Sequence, residues 1–148
     1  MATLQTQLDI NDRIRHEHEH LRDVLGVVNR ILAAHQSSVD DVVVQFMSLR
    51  EELEMHFHSE EAEGFFEQVT DIAPQLMRHT TKLCQDHVRM LSEIGELVMQ
   101  AGQGDGSDDW WNVMEATFRD FSRALIQHEH RENELLQRAY DEDIGSHD

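Results

Sequence analysis

The stretch INDRIRHEHEHLRDVLGVVNRIL, residues 10–32, decides which secondary structure this chain adopts. Its apolar residues recur at intervals of three and four, which is the spacing of one face of an amphipathic α-helix. The positions on that face are Ile10, Ile14, His18, Leu21, Leu25, Val28 and Leu32. Residues two apart on a helix point in nearly opposite directions, so His16 and His20 belong to the other side, where water reaches them. The stretch therefore predicts a helix that turns only the middle histidine inward.

Three further segments show the same periodicity, so the chain is predicted to be all-α. The predicted helices cover residues 9–35, 39–69, 74–100 and 108–140, followed by a polar tail at 141–148. Ser38 is the expected N-cap of the second helix, and Pro74 suits the first turn of the third. The glycine-rich segment 101–109 is the expected loop before the fourth helix. Four amphipathic helices with short connections predict a single domain over residues 1–148, folded as an up-and-down four-helix bundle.

The composition excludes several classes of partner. Acidic residues outnumber basic ones by 30 to 12, giving a net charge of −18, which repels the phosphates of nucleic acid and an anionic membrane surface. No apolar run approaches membrane-spanning length, and the N-terminus lacks the basic and apolar pattern of a secretion signal. The single cysteine, Cys84, cannot form an internal disulfide. We therefore expect a soluble cytoplasmic protein that binds neither nucleic acid nor membrane.

Each predicted apolar face is interrupted by a histidine, and two faces also carry a glutamate one turn later. These six positions are His18, His56, Glu60, His87, His128 and Glu132. A carboxylate buried in a bundle is costly unless a cation compensates it, and the nearby arginines and lysines do not share these faces. At ~1.5 Å per residue the first three helices bring their members to similar heights, and the glycine-rich loop can span the roughly 12 Å mismatch before the fourth. A metal cation would compensate the charge.

The chemistry of this set favours two ions over one. In His56 with Glu60, and in His128 with Glu132, the i, i+4 spacing places an imidazole and a carboxylate on one helix face. Four nitrogens and two carboxylates that can bridge suit two iron or manganese ions better than a single zinc. His16 and His20 are also one turn apart on the solvent face, a spacing that suits an adventitious transition metal and also arises by chance on a histidine-rich surface.

With these motifs the chain resembles the hemerythrin-like family, the HHE cation-binding domain, over nearly its whole length. The matching pieces are EHEHLRDVL around His18, HFHSEEAEGFF with His56 and Glu60, QDHVRML with His87, and HEHRENELL with His128 and Glu132. The resemblance implies a four-helix bundle that holds a non-haem di-iron centre. It also implies that Glu60 and Glu132 bridge the irons and that the four histidines are terminal ligands.

The chain departs from the oxygen-carrying hemerythrins on its third and fourth helices. Those proteins have H-x-x-x-H and H-x-x-x-x-D there, whereas Leu83 and Leu91 flank His87 by one turn and Asn133 follows His128 by five residues. With one histidine fewer, the chain looks more like the six-ligand members associated with nitric oxide, peroxide or iron-centre repair chemistry. The resemblance then implies a centre that binds and reacts with a small oxidant, O2, peroxide or NO. The candidates for apolar walls around it are Phe57, Phe65, Phe66, Phe118 and Phe121, and their helical spacing also suits ordinary core residues.

Three other interpretations remain open. The iron can serve a reversible O2 carrier or sensor without turnover, whereas an enzyme would need a redox partner protein. Ferritin-like iron storage requires Glu-x-x-His on two helices, and only Glu17 with His20 has that spacing, on the outward side of its helix. In the last interpretation the buried histidines only form hydrogen bonds and bind no metal.

Overall fold

The computed structural model describes the backbone of residues 4–146 and the side chains of residues 10–141. It contains five α-helices: α1 (Leu4–Ala34), α2 (Val39–Ala62), α3 (Phe65–Ile72), α4 (Met77–Gln103) and α5 (Asp108–Ser146). A single 3₁₀ turn, Pro74–Leu76, leads into α4. The long helices α1, α2, α4 and α5 form the predicted four-helix bundle, and no strand occurs between residues 4 and 146. Within the same range, no helix combines the length and the apolar character that crossing a bilayer requires.

Local signals in the sequence account for the connections between the long helices. Ser38 caps α2, since its Oγ accepts a hydrogen bond of 3.1 Å from the Asp41 amide. The loop before α5 is shorter than predicted and comprises only residues 104–107, because α4 continues to Gln103 and α5 begins at Asp108. Gly104 is required in this loop: a Cβ at that position would lie 1.8 Å from the Trp110 ring. The glycines therefore serve a tight turn packed on an indole rather than a long ascending loop.

The prediction of one continuous helix over residues 39–69 is wrong. The helix stops at Ala62, and Gly64 adopts a left-handed conformation with φ of +112° before the chain starts the separate helix α3. Residues with side chains rarely adopt this backbone conformation, so the glycine marks where the direction changes. Glu63 continues the spacing of His56 and Glu60 along the chain, yet it is exposed and lies 3.4 Å from Arg13.

The first and the last helix are longer than the apolar pattern indicated. The structure begins α1 at Leu4, five residues before the predicted start. It also continues α5 to Ser146, through most of the predicted polar tail. Residues 147 and 148 of that tail lie outside the described residues. Polar residues can extend a helix without contributing to a buried face, so hydrophobic periodicity does not detect these ends.

The core consists of two apolar clusters with a polar layer between them. The larger cluster includes Leu21, Leu53, Met90 and Leu125, and fills the bundle on the side of the α1–α2 connection. The smaller cluster contains Ile14, Phe65, Phe66, Val69, Leu83 and Leu135, and is completed by α3. Between these clusters, the long helices carry the six predicted ligands, which are His18, His56, Glu60, His87, His128 and Glu132. Apolar packing on both sides thus shields this layer from bulk water.

The conformation of Gly64 supplies a test of the helix break. We expect Gly64→Ala to lower the free energy of unfolding by about 1–2 kcal/mol, because alanine pays the steric cost of a left-handed backbone. The added Cβ would also lie 3.2 Å from Ile10 Cδ1. Gly95→Ala is the control: it lies within α4, its Cβ would meet nothing within 4 Å, and it should stabilise by about 0.5–1 kcal/mol. Urea unfolding of both variants measures the difference, and equal effects would contradict the assignment.

Candidate metal centre

Six buried side chains from the four long helices converge in the polar layer. They form two groups, His18, His56, Glu60 and Glu132 on one side, and Glu60, His87, His128 and Glu132 on the other. In each group one nitrogen or oxygen from every residue lies within 4.8 Å of the others. Both carboxylates belong to both groups. The structure thus brings together all six residues that the sequence predicted as ligands, while their role as ligands stays a prediction.

The histidines approach the two glutamates through the same ring atom. His18 Nε2 lies 3.6 Å from Glu60 and 3.5 Å from Glu132. His56 Nε2 is 3.2 Å from Glu60, and His128 Nε2 is 3.2 Å from Glu132. His87 Nε2 is 3.3 Å from Glu60 and 2.9 Å from His128 Nε2. Four Nε2 atoms therefore surround a pair of carboxylates, which is the donor arrangement that divalent cations take up in proteins.

The hydrogen bonding of the two glutamates is incomplete. Glu60 and Glu132 are fully buried, yet none of their four carboxylate oxygens has a hydrogen-bond partner, and the same is true of Nε2 in His18 and His56. Leaving a buried charged group without such partners costs several kcal/mol. The residues present therefore fit a cation: the unpaired atoms are all donors of the kind that iron, manganese and zinc accept, and they face one another.

The ionisation of the centre shows the same need for positive charge. Burial lowers the pKa of His18 and His87, but their contacts with Glu132 and Glu60 outweigh it and raise these pKa values to about 10 and about 9. Burial and the neighbouring Glu132 raise the pKa of Glu60. Burial opposes ionisation of Glu132 too, but Glu60 and three histidines together hold its pKa well below the ordinary value. Without metal, protons on His18 and His87 supply the positive charge.

Acids lie beside the outer nitrogens of three of these histidines, and one of the acids accepts a hydrogen bond. His56 Nδ1 donates a hydrogen bond of 3.1 Å to Glu17. His87 Nδ1 lies 3.4 Å from Glu61, and His128 Nδ1 lies 3.5 Å from Asp86. The hydrogen bond to Glu17 orients the ring of His56 and leaves its Nε2 free to bind metal, as is usual around metal-bound histidines. Nδ1 of His87 and Nδ1 of His128 lie near their acids but have no hydrogen-bond partner.

A fourth acid, Glu129, is fully buried beside the same layer. Its Oε2 accepts a hydrogen bond of 3.2 Å from Arg22 Nε, and its Oε1 has no hydrogen-bond partner. Burial raises the pKa of this carboxyl, although the nearby His18 and Arg22 act in the opposite direction. Glu129 thus links α5 to α1 as the other three acids link their helices.

The sequence reasoning missed these four acids, although a signal was present. Three of them fall between apolar or ligand residues at intervals of three and four, as in Ile14–Glu17–Leu21 and Leu83–Asp86–Met90. All four are adjacent to a predicted ligand. An acid next to a ligand on the edge of an apolar face is therefore the feature that could have identified them.

The phenylalanines divide into two sets. Phe57 stacks on His87 with the ring centroids 3.9 Å apart, and Phe66 lies against His87 at 5.6 Å. Phe118 and Phe121 pack in the larger apolar cluster, where Phe118 stacks on Phe46. Of the five candidate walls, Phe57 and Phe66 have ring contacts with the polar layer. Two aromatic rings therefore contact His87.

The fold and the site together define a four-helix-bundle protein with a buried histidine–glutamate site suited to metal cations. The chain belongs to the hemerythrin family: the family model described as the hemerythrin HHE cation-binding domain matches residues 9–140. This confirms the resemblance seen in the sequence motifs. Neither a comparison with curated proteins nor one with solved structures gave a match.

The outer acids provide a test of how the ligand histidines are held. We expect Glu17→Ala to weaken metal binding by about 10- to 100-fold, because His56 loses the acceptor that orients its ring. Glu19→Ala removes an exposed acid from the same helix and should leave the affinity unchanged. Competition with a chelator of known affinity measures both variants. An equal loss in the two variants would show that charge alone, rather than ring orientation, is responsible.

The raised histidine pKa values predict how the stability of metal-free protein depends on pH. A raised pKa in the folded state stabilises the fold fully below the unfolded value of about 6.5, and this contribution is lost as pH rises through the folded values of about 9 and 10. We therefore expect the Tm of chelator-treated protein to fall over this range. Metal-loaded protein should not show this fall, since bound cations replace the protons. A Tm of metal-free protein that rises over the same range would contradict the electrostatic account.

Proposed function

We propose that this protein binds two iron ions between Glu60 and Glu132 and reacts there with a small oxidant such as O2, peroxide or NO. One ion would be held by His18 and His56, the other by His87 and His128, and manganese is the alternative metal. When bound, such a pair of ions supplies electrons and open coordination positions for a small ligand. The chain supplies the ligands, their orientation and an enclosure that excludes water.

The sharing of both carboxylates carries this proposal. Each of the two groups consists of two imidazoles and the same two glutamates, so a pair of ions could be bridged twice. A single tetrahedral zinc would use four donors and leave two buried side chains without compensation. Six donors with mixed nitrogen and oxygen chemistry suit two ions of iron or manganese better.

The surroundings of the site favour reactivity toward small ligands. With four protein donors for each proposed ion, positions remain for an exogenous ligand, because the site has leucine where a further histidine would lie. Leu83, one turn before His87, is buried in the smaller apolar cluster. Apolar packing on both sides of the polar layer restricts access to small molecules and keeps the dielectric low.

The second candidate function is reversible binding of O2 by a carrier or sensor. The closed apolar layers on both sides favour it, because excluding water protects a bound ligand from further reaction. Repeated reduction of O2 or NO requires a supply of electrons, so an enzyme for these substrates includes a redox partner protein, whereas the carrier function and the disproportionation of peroxide do not.

The metal content tests the proposal directly. Untagged protein produced with iron should contain about two irons per chain, with Mössbauer and optical spectra of a bridged pair. Glu60→Gln and Glu132→Gln should each reduce the content to about one iron or less, because each residue serves both ions. His58→Gln alters an exposed histidine and should leave the content unchanged. Far-UV circular dichroism establishes that the variants are folded. One iron per chain, or zinc as the only metal retained, would contradict the proposal.

Stopped-flow spectroscopy of the reduced protein separates the two functions. A charge-transfer band that persists after mixing with O2 and disappears when O2 is removed would indicate reversible binding. Consumption of peroxide or NO over many cycles with an artificial electron donor would indicate an enzyme. A reduced centre that reacts with none of the three ligands would contradict both.

A further inference from the structure

A groove between α1 and α2 runs along the outside of the candidate metal centre. Its volume is about 740 Å³. The α1–α2 groove is lined by Arg13, His16, Glu17, His20, Leu21, Glu52, Met55 and His56. His56 is one of the six convergent residues, so the groove is separated from the centre by a single side chain.

The rim of the groove carries metal-ligand side chains that the centre does not use. His16 and His20 lie one helical turn apart on α1, and their side chains are 80% and 63% exposed. From α2, Glu52 lines the same groove, with its Oε1 3.3 Å from His20 Nε2. The ligand atoms of the three side chains do not all lie within 4.8 Å of one another, so these side chains must turn toward one another to bind an ion. Two imidazoles at i, i+4 and a carboxylate from the neighbouring helix are a ligand set for a divalent transition metal. The carboxylate near His20 distinguishes this pair from an isolated pair of surface histidines.

The donors continue from the groove to the interior. Glu17 lines the groove, is about one-third exposed, and accepts the hydrogen bond from His56 Nδ1 at 3.1 Å. On its inner side, His56 Nε2 lies 3.2 Å from Glu60. Glu17, His56 and the shared carboxylates therefore form a series from the groove to the centre. Each successive group is a nitrogen or oxygen donor.

The charge of the protein favours a cation in this position. The net charge of −18 attracts cations to the surface as a whole. The one arginine of the groove, Arg13, lies 3.4 Å from Glu63, which offsets its charge locally. Exposed His58 and His130 lie outside the groove and provide a natural comparison.

We propose that the α1–α2 groove contains a second, weaker site for a divalent transition-metal cation, formed by His16, His20 and Glu52, through which ions reach the buried centre. The weaker affinity follows from exposure, since water competes for the ion and the side chains must be ordered to bind it. The loading role rests on the proposed function, whereas the existence of the groove site does not.

Equilibrium dialysis of the untagged, metal-free chain against Co²⁺ tests the site itself. The wild-type chain and His58→Ala/His130→Ala, which removes two exposed histidines elsewhere, should bind one weakly held ion that His16→Ala/His20→Ala and Glu52→Ala do not bind. All four proteins should retain the same number of tightly held ions. Equal weak binding by all four, or its loss in the control as well, overturns the groove site.

The rate of Co²⁺ uptake tests the loading role. Stopped-flow absorbance of the bound ion measures this rate. We expect uptake into the tight sites to slow by about tenfold in His16→Ala/His20→Ala, with the final content unchanged. The control should load at the wild-type rate. An unchanged rate in the groove variant overturns the loading role even if the weak ion is bound. Absence of tightly held ions in the wild-type chain would instead refute the proposed function, and the dialysis result for the weak ion would still decide the groove site.

Discussion

Two carboxylates side by side in a water-excluded layer are the constraint on which the rest of the structure depends. Glu60 and Glu132 are fully buried, and their ionic partners are the surrounding imidazoles. Attraction between ions is strong in such a medium, but the cost of removing them from water is larger unless the geometry is complete. The surrounding imidazoles complete it when His18 and His87 carry protons or when the Nε2 atoms share a metal. The polar layer is therefore where protonation, metal binding and folding are coupled.

The outer acids relate this layer to the packing of the bundle. Glu17 on α1 contacts His56 on α2, Glu61 on α2 contacts His87 on α4, and Asp86 on α4 contacts His128 on α5. Glu129 on α5 completes the circle through Arg22 on α1. Each long helix therefore contributes one histidine to the centre and one acid that contacts the next long helix. A shift of one helix along its axis would break a contact on both sides, so the ring opposes sliding and holds the ligands at one level.

Hydrophobic periodicity predicted the four long helices and the convergence of the six side chains, because apolar packing determines which face of each helix is buried. It missed the break at Gly64, since Glu63 continues the spacing of Leu53, His56 and Glu60, and a single glycine is tolerated within many helices. It also missed Glu17, Asp86 and Glu129, which lie at the edges of the buried faces. Their burial depends on which helix is the neighbour, and that information is absent from a pattern read along one helix at a time.

The break at Gly64 makes the two halves of the site unequal. Because α2 ends at Ala62, Phe65 and Phe66 join the smaller apolar cluster beside the polar layer, and Phe66 contacts His87 as Phe57 does. No such pair of rings covers His56 among the described residues, and this histidine borders the α1–α2 groove instead. Two ion positions with the same donors would therefore differ in their contact with solvent. If both positions hold ions, exchange with solvent would be faster on the side of His18 and His56 than on the side where Phe57 and Phe66 contact His87.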